Sequence, residues 1–252
     1  MDLETLIYEK NGPIAVITLN RPEARNSFNS TMVGELGKVW KDVKFDDSLK
    51  VAVVTGAGNQ AFCAGADVKE LESSGSTSEF STRDEGIRQL TSKHNHCWKP
   101  VITAINGMVV GGGFHFVVAG DINIACGEAT FFDTHVNIGL VPVFEPIELA
   151  RKIPWEVVSR LFLLAKGERM TAARAFQVGM VSEVVTRAEL MPRAMDLAEI
   201  IASQDLRGLM GTVEVLYKSR GLGISDAIVQ GLAIRELSGR SIGQTFTQPT
   251  SS

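Results

Sequence analysis

Short β-branched runs that alternate with an amphipathic segment limit the fold of this chain most strongly. Residues 14–19 (IAVITL) end at a turn that begins at Asn20, and residues 51–55 (VAVVT) end at a glycine-rich loop that begins at Gly56. Between them, apolar residues recur at helical spacing behind Ser30, which is predicted to cap the helix: Met32, Leu36, Val39, Trp40 and Val43. The order strand, helix, strand predicts a wound α/β core.

The alternation repeats further along the chain. Residues 101–105 (VITAI) lead to the glycines Gly111–Gly113, a short apolar helix over Phe114–Ala119 and a strand over residues 121–125. From about Glu145 onward helices dominate. Three apolar stripes mark them: Leu190, Ala194, Leu197 and Ile201; Leu206, Met210, Val213 and Leu216; Ile224, Ala227, Ile228 and Leu232. Such stripes either close over the chain's own core or pack against a neighbouring subunit, and the second arrangement indicates an oligomer.

Composition and charge exclude several classes of protein. The 252 residues are 44% hydrophobic and 21% charged, which suits one globular domain or one domain with an appendage. The net charge of −4 provides no basic field for nucleic acid or an anionic membrane. Acidic residues stand where a secretory leader would be basic, and no apolar run approaches the roughly 20 residues of a membrane helix. We therefore expect a cytoplasmic protein.

The cysteines and neighbouring histidines give little support to a disulfide framework or a metal site. Cys63, Cys97 and Cys126 are far apart and lack CxxC spacing, so we predict that they are small buried apolar residues. His94, His96 and Cys97 fall in a segment predicted to be helical, where residues two apart point to nearly opposite faces. We predict a solvated helix end there and no metal.

Two glycine-rich bends are the candidate chemical feature. Gly65 and Ala66 precede a predicted helix over residues 67–71, and Gly111–Gly113 precede the helix that begins at Phe114. Because the first N–H groups of a helix have no partner within it, two such bends could aim two donors at one oxygen on which negative charge develops. The alternative is that the glycines only permit tight turns. The nucleotide phosphate motifs GxxxxGKS/T and GxGxxG are absent.

Five blocks of sequence carry a family resemblance. They are residues 20–26 (NRPEARN), 61–67 (AFCAGAD), 99–107 (KPVITAING) with the following Gly111–Gly113, 121–125 (DINIA) and 173–181 (ARAFQVGMV). In this order and spacing they resemble the crotonase (enoyl-CoA hydratase/isomerase) superfamily over about residues 5–240. Each block alone is weak evidence, but together they favour the donor role of the two bends.

The resemblance implies an α/β fold of the crotonase/ClpP-like type: a spiral of ββα units over residues 1–190, and a C-terminal helical region over residues 191–252 that forms trimers or dimers of trimers. It implies an acyl-CoA substrate, no prosthetic group, and the N–H groups of Ala66 and Gly112 as oxyanion donors. Coenzyme A would lie along the backbone of Ala24, Arg25, Ala64 and Asp67, with Arg25 and Lys69 near its phosphates. Alternatively, Arg25 and Lys69 are solvated surface cations.

The chain departs from the family at two positions. Family hydratases have one glutamate two residues after the third glycine of the bend and another twenty residues later; this chain has His115 and His135 there. Two imidazoles could share the proton transfers, or each could be a core histidine with satisfied ring nitrogens. We expect apolar walls from Phe114, Phe116 and Phe132 to lower the histidine pKa values and favour neutral imidazole, a base.

A carboxylate near these histidines is a further candidate. Glu145 lies where other superfamily members, such as the chlorobenzoyl-CoA dehalogenase and a C–C hydrolase of the β-diketone type, place a catalytic aspartate within one or two residues. It could be a nucleophile, an orienting partner for His135, or only an acid in the first turn of a helix. Asp133 is a weaker candidate of the same kind.

Three functions follow from this pattern. The first is an enoyl-CoA hydratase/isomerase-family enzyme that stabilises an enolate and uses His115 and His135 for proton transfer. The second is a C–C bond hydrolase acting on a β-diketone or β-ketoacyl compound, with Glu145 taking part. The third is a non-catalytic acyl-CoA-binding protein that has lost its acids.

Overall fold

A computed structural model describes residues 1–73 and 89–238, with two sheets. The strands are β1 Leu6–Asn11, β2 Ile14–Leu19, β3 Val51–Gly56, β4 Ala61–Cys63, β5 Val101–Ile105, β6 Met108–Val110, β7 Ile122–Cys126, β8 Thr130–Phe132, β9 Met170–Thr171 and β10 Glu183–Val185. The large sheet has the order β1-β2-β3-β5-β7-β10 and the small one β4-β6-β8-β9. The helices, labelled in chain order within the described residues, are α1 Ser30–Phe45, α2 Val68–Ser73, α3 Phe114–Ala119, α4 Phe144–Leu149, α5 Trp155–Leu164, α6 Ala172–Gln177, α7 Arg187–Ala202, α8 Leu206–Lys218 and α9 Ile224–Leu237.

Successive strand–strand–helix units build both sheets. The hairpin of β1 and β2 is followed by α1, the pair β3 and β4 by α2, and the pair β5 and β6 by α3. The first strands of the later units extend the large sheet in parallel, and their second strands form the small sheet together with β9, which pairs antiparallel with β8. Strands β3 and β5 are buried along their whole length, as expected for parallel strands covered on both faces.

The helix α1 begins where the sequence predicts, but its cap is a different residue. Asn29 is the N-cap, and its side chain accepts a hydrogen bond from Met32 N at 3.0 Å, so the prediction of a Ser30 cap is wrong. Both residue types satisfy an exposed N–H group at a helix start, so pattern alone did not separate them. The predicted apolar face is confirmed, because Met32, Leu36, Val39, Trp40 and Val43 are all buried.

The C-terminal helices differ in what they cover. Helix α7 packs on β3 and β5, and it buries Leu190, Ala194, Ala198 and Ala202, while Leu197 and Ile201 are only partly buried. The domain boundary predicted after residue 190 stays a prediction; it falls within this helix. Helices α8 and α9 pack on each other and leave apolar side chains exposed: Leu216, Ile224, Ile228, Val229 and Leu232. The polar tail from Gly243 to Ser252 lies outside the described residues.

The segment around His94 is a run of turns, so the prediction of a helix there is wrong. His96 takes a left-handed conformation with φ of 51°, which interrupts helical geometry, and Cys97 is buried beside it. All three cysteines are buried thiols. Within residues 1–73 and 89–238, no group of three or more His, Cys, Asp and Glu side chains is arranged to hold a metal ion. No helix in those ranges has the length and apolar character to span a membrane.

Candidate active site

The first glycine bend lies between β4 and α2 and directs the backbone N–H of Ala66 away from the neighbouring segment. Gly65 has φ of 87°, a conformation that glycine adopts freely. Phe28 N donates to Gly65 O and Asp67 N donates to Phe28 O, both at 2.9 Å, which makes a parallel bridge between Phe28 and Ala66. In such a bridge the N–H of the central residue points away from its partner strand. The Ala66 N–H is therefore directed away from Phe28.

The second bend contacts the first. It runs from the end of β6 through a 3-10 turn over Gly111–Gly113 into α3, with φ of 49° at Gly111. A β-carbon added to Gly65 would lie 2.9 Å from Gly112 N, and one added to Gly112 would lie 3.6 Å from Ala66 N. The structure thus brings Ala66 and Gly112 together, and the absence of a side chain at residue 65 permits the approach.

The imidazole of His135 lies beside the second bend and is held by a buried carboxylate. Its Nδ1 is 2.7 Å from Asp133 Oδ1, and its backbone N donates to Asp133 Oδ2 at 2.8 Å. The Asp133 side chain is 0% exposed, whereas that of His135 is 23% exposed. The ring Cε1 would lie 3.5 Å from a β-carbon on Gly111. Because Asp133 occupies Nδ1, the ring has Nε2 available for a substrate.

The protonation of His135 differs from the sequence-based expectation. Burial lowers the pKa of His135, but the hydrogen bond and charge of Asp133, with a contribution from Glu145, raise it above its usual value. The prediction that apolar walls would lower this pKa is therefore wrong for His135. Of the three predicted walls, Phe114 packs on Phe131 and Phe162 in the core.

His115 and Glu145 form a second buried pair. His115 is on α3 and 3% exposed, Glu145 is in the first turn of α4 and 4% exposed, and His115 Nε2 lies 3.2 Å from Glu145 Oε1. The rings of Phe144 and His94 flank His115, with centroids 6.1 and 5.8 Å away. The prediction that Glu145 is an orienting partner of His135 is wrong. The side chain of Glu145 contacts His115, and the side chain of Asp133 contacts His135.

The surroundings of the His115–Glu145 pair favour the ionised form of the Glu145 carboxylate. Burial raises the pKa of Glu145, but the hydrogen bond and charge of His115, together with a backbone hydrogen bond and the charge of His135, bring it below its ordinary value. A carboxylate at such depth requires its partner, because an unpaired buried charge is costly. The second bend, which contacts the first, is therefore followed by two imidazole–carboxylate pairs, one of which has its imidazole beside Gly111.

Comparison with known proteins identifies the family. A model described as enoyl-CoA hydratase/isomerase matches residues 9–218. The chain belongs to the enoyl-CoA hydratase/isomerase family.

Named members of this family are similar over most of the chain. (E)-benzylidenesuccinyl-CoA hydratase of Thauera aromatica is 33% identical and covers 88% of this chain and 85% of its own length. Short-chain-enoyl-CoA hydratase of Clostridium acetobutylicum is 34% identical, over 81% of this chain and 77% of the relative. An enoyl-CoA hydratase/isomerase structure from Mycobacterium paratuberculosis superposes with a TM-score of 0.88 at 35% identity, covering 98% of this chain and 94% of that one. The predicted fold class is thus confirmed for this enoyl-CoA hydratase/isomerase family member.

Residues predicted from the family resemblance to bind coenzyme A lie in adjoining segments. Ala64 N donates to Arg25 O at 3.0 Å, and the segment with Ala24 and Arg25 therefore runs beside that with Ala64 and Asp67. Asp67 forms an ion pair with Arg21 at 2.8 Å, so its carboxylate already has a partner. Arg25 and Lys69 are exposed.

Asn26 was missed as an individual residue by the sequence analysis. It is buried, and its side chain donates to Ala57 O and Ala61 O and accepts from Arg21 N. These bonds fasten the Arg25 loop to the turn after β3 and to β4. The signal was its place at the end of the NRPEARN block, where its positive φ of 55° suits asparagine better than most residues.

Proposed function

We propose that this protein acts on an acyl-CoA thioester, whose oxygen accepts hydrogen bonds from the N–H groups of Ala66 and Gly112. The observation that carries the proposal is the contact between the two glycine bends, with both imidazole–carboxylate pairs beside the second bend. Donors fixed in advance stabilise charge that develops on a carbonyl oxygen, because they need not reorganise during the reaction. An enolate is the species that such a site stabilises.

Hydration of an enoyl thioester fits the side chains at the site. His135 takes a proton from water, whose oxygen bonds to the β-carbon while the C=C electrons move onto the thioester oxygen. The enolate then collapses as its α-carbon takes a proton from the His115 ring, which is paired with the ionised carboxylate of Glu145. Asp133 stabilises the imidazolium that His135 becomes. The reverse sequence removes water, and relatives are named as hydratases and as a carnitinyl-CoA dehydratase.

Coenzyme A is proposed to bind as part of the substrate, without a prosthetic group. The backbone of Ala24, Arg25, Ala64 and Asp67 forms its track, and the exposed side chains of Arg25 and Lys69 approach its phosphates. Because Arg21 neutralises Asp67, the carboxylate of Asp67 does not repel an anionic ligand as strongly as a free one would. A cytoplasmic location and a trimer or dimer of trimers through the exposed faces of α8 and α9 stay predictions.

A panel of enoyl-CoA esters, with short, long and aromatic acyl groups, tests the proposal. We expect loss of the enoyl-thioester absorbance on at least one substrate and formation of the 3-hydroxyacyl-CoA. Isothermal titration with a saturated acyl-CoA measures binding separately. Binding without turnover of any ester would favour the non-catalytic acyl-CoA-binding protein.

A C–C hydrolase is the second candidate, because an imidazole held by a buried carboxylate, as His135 is, also activates water against a β-dicarbonyl carbon. In that reaction hydroxide adds to one carbonyl, and the C–C bond breaks to leave an enolate. Glu145 is a poor nucleophile in its present environment, since it is buried and paired with His115. A panel of β-diketones and β-ketoacyl-CoA esters, analysed for two acyl fragments, separates this reaction from hydration.

The activity should depend on pH through His135. A base acts only in its neutral form, so kcat/KM should rise as pH increases through the His135 pKa. Asp133 raises this pKa, so Asp133→Asn should move the rising limb to lower pH and reduce the plateau by about tenfold or more, since the imidazolium loses its counter-charge. Measuring kcat/KM across the neutral range checks both effects. The exposed Asp226→Asn is the control, and a rising limb at the same pH in the Asp133 variant would contradict the assignment.

A further inference from the structure

Cations hold the carbonyl end of α3, the helix that carries His115. Lys152 Nζ donates to Val117 O at 3.0 Å and to Gly120 O at 2.8 Å. Arg220 adds a longer hydrogen bond of 3.4 Å to Val118 O. The last carbonyls of a helix have no partner within it, and a cation there also interacts favourably with the helix dipole. None of the proposed proton transfers uses these side chains.

Lys152 belongs to the chain segment that carries Glu145. Helix α4 spans Phe144–Leu149, and the turn after it is hydrogen-bonded, with Lys152 N donating to Leu149 O at 2.9 Å. The backbone between Glu145 and Lys152 is therefore regular and tightly turned. A side chain anchored at Lys152 constrains the direction in which α4 leaves the site.

We infer that Lys152 is a positioning residue that clamps α4 to α3 and thereby fixes the separation between His115 and Glu145. Polar contacts join the two segments at two places: the His115–Glu145 contact of 3.2 Å, and the bonds from Lys152, in the turn after α4, to Val117 and Gly120. Two points of attachment prevent rotation of one helix against the other, which a single contact does not. The inference deepens the proposed function and depends on it only for the chemical role of the pair.

The clamp does not depend on the charge of Lys152. Burial, together with Arg220 and Lys93 and against Asp121 and Glu148, lowers the pKa of Lys152 to about 7. A neutral amine still has two N–H donors, and Lys152 has two backbone carbonyls to satisfy. The clamp should therefore persist on both sides of neutral pH.

Lys152→Met tests the clamp, with Lys99→Met as the matched control. Lys99 is buried, and like Lys152 it donates to two backbone carbonyls, those of Val43 in the last turn of α1 and of Asp46 directly after it. Both variants lose the same kind of bonds and should lower the melting temperature. The readout is the solvent exchange rate of the His115 ring N–H, assigned by its loss in His115→Asn and measured by NMR, which requires no turnover.

Lys152→Met should accelerate that exchange by about tenfold or more, whereas Lys99→Met should leave it near the wild-type rate. With an enoyl-CoA ester that the wild-type protein hydrates, Lys152→Met should lower kcat more than it raises KM. Equal exchange rates in folded Lys152→Met and wild type would overturn the inference, whatever the activity. If Lys152→Met does not fold, Lys152→Gln replaces it, because its shorter side chain cannot span both carbonyls; unchanged exchange there has the same meaning. Absent turnover with accelerated exchange would instead count against the proposed function and leave the clamp supported.

Discussion

His135→Ala is expected to lower kcat by about a hundredfold to ten-thousandfold, the range that a positioned general base contributes. The substitution removes the imidazole and leaves the Asp133 carboxylate buried at 0% exposure with its main side-chain partner gone. Loss of that pairing leaves a buried carboxylate without its partner and should reduce stability. Steady-state kinetics on the best enoyl-CoA ester measures the loss, and isothermal titration with a saturated acyl-CoA establishes that the ligand still binds.

A matched pair of substitutions separates chemistry from folding. His135→Asn retains a polar side chain of smaller size, and His96→Asn makes the same exchange at an exposed histidine whose left-handed backbone asparagine tolerates. We expect a large loss of kcat in the first and near wild-type activity in the second. If His135→Asn kept full turnover with an unchanged melting temperature, His135 would have to be removed from the mechanism.

Gly65→Ala is expected to lower kcat/KM by about a hundredfold to a thousandfold, comparable to the removal of one oxyanion donor. The new β-carbon would lie 2.9 Å from both Gly112 N and Val110 O, and therefore the two bends must separate. Separation pulls the Gly112 amide away from that of Ala66, so one carbonyl oxygen no longer meets both donors. The same kinetic assay on an enoyl-CoA ester detects the loss.

Gly179→Ala is the control for backbone strain. Gly179 has φ of 79°, close to the 87° of Gly65, but a β-carbon there meets no heavy atom of the described residues within 4 Å. The left-handed backbone should therefore cost each variant about 1 kcal/mol in its free energy of unfolding. Only Gly65→Ala should also lose catalytic activity. Equal activity in the two variants would show that the contact between the bends is not used in the reaction.

Local patterns predicted most of the fold because the signals lie within single elements. The β-branched runs at Ile14–Leu19 and Val101–Ile105 are strands, and the short apolar helix after the three glycines has the predicted bounds Phe114–Ala119. Buried parallel strands and amphipathic helices leave such periodic traces. The helix predicted around His94 was wrong because the left-handed conformation of His96 interrupts it, and the spacing of apolar residues gives no sign of that conformation.

The site was predicted less completely because its partners meet only through tertiary structure. The family pattern located both histidines and both bends, but Glu145 and His115 are thirty positions apart, and only the packing of α4 on α3 brings them together. Asp133 is near His135 in sequence, yet its contact depends on the turn that starts the 3-10 helix over His135–Ile138. The pKa of His135 was mispredicted for the same reason, since aromatic neighbours were considered and the carboxylate was not.

The ionisable side chains of the candidate site follow the second glycine bend and not the first. In the proposed mechanism the first bend supplies one amide and no ionisable group, whereas the two histidines and their carboxylates all lie after the second bend, between residues 115 and 145. On this proposal, a substitution in that later stretch would change the acid or base without changing the amides that polarise the carbonyl. The two bends would then activate the thioester, and the four side chains after them would determine which reaction follows.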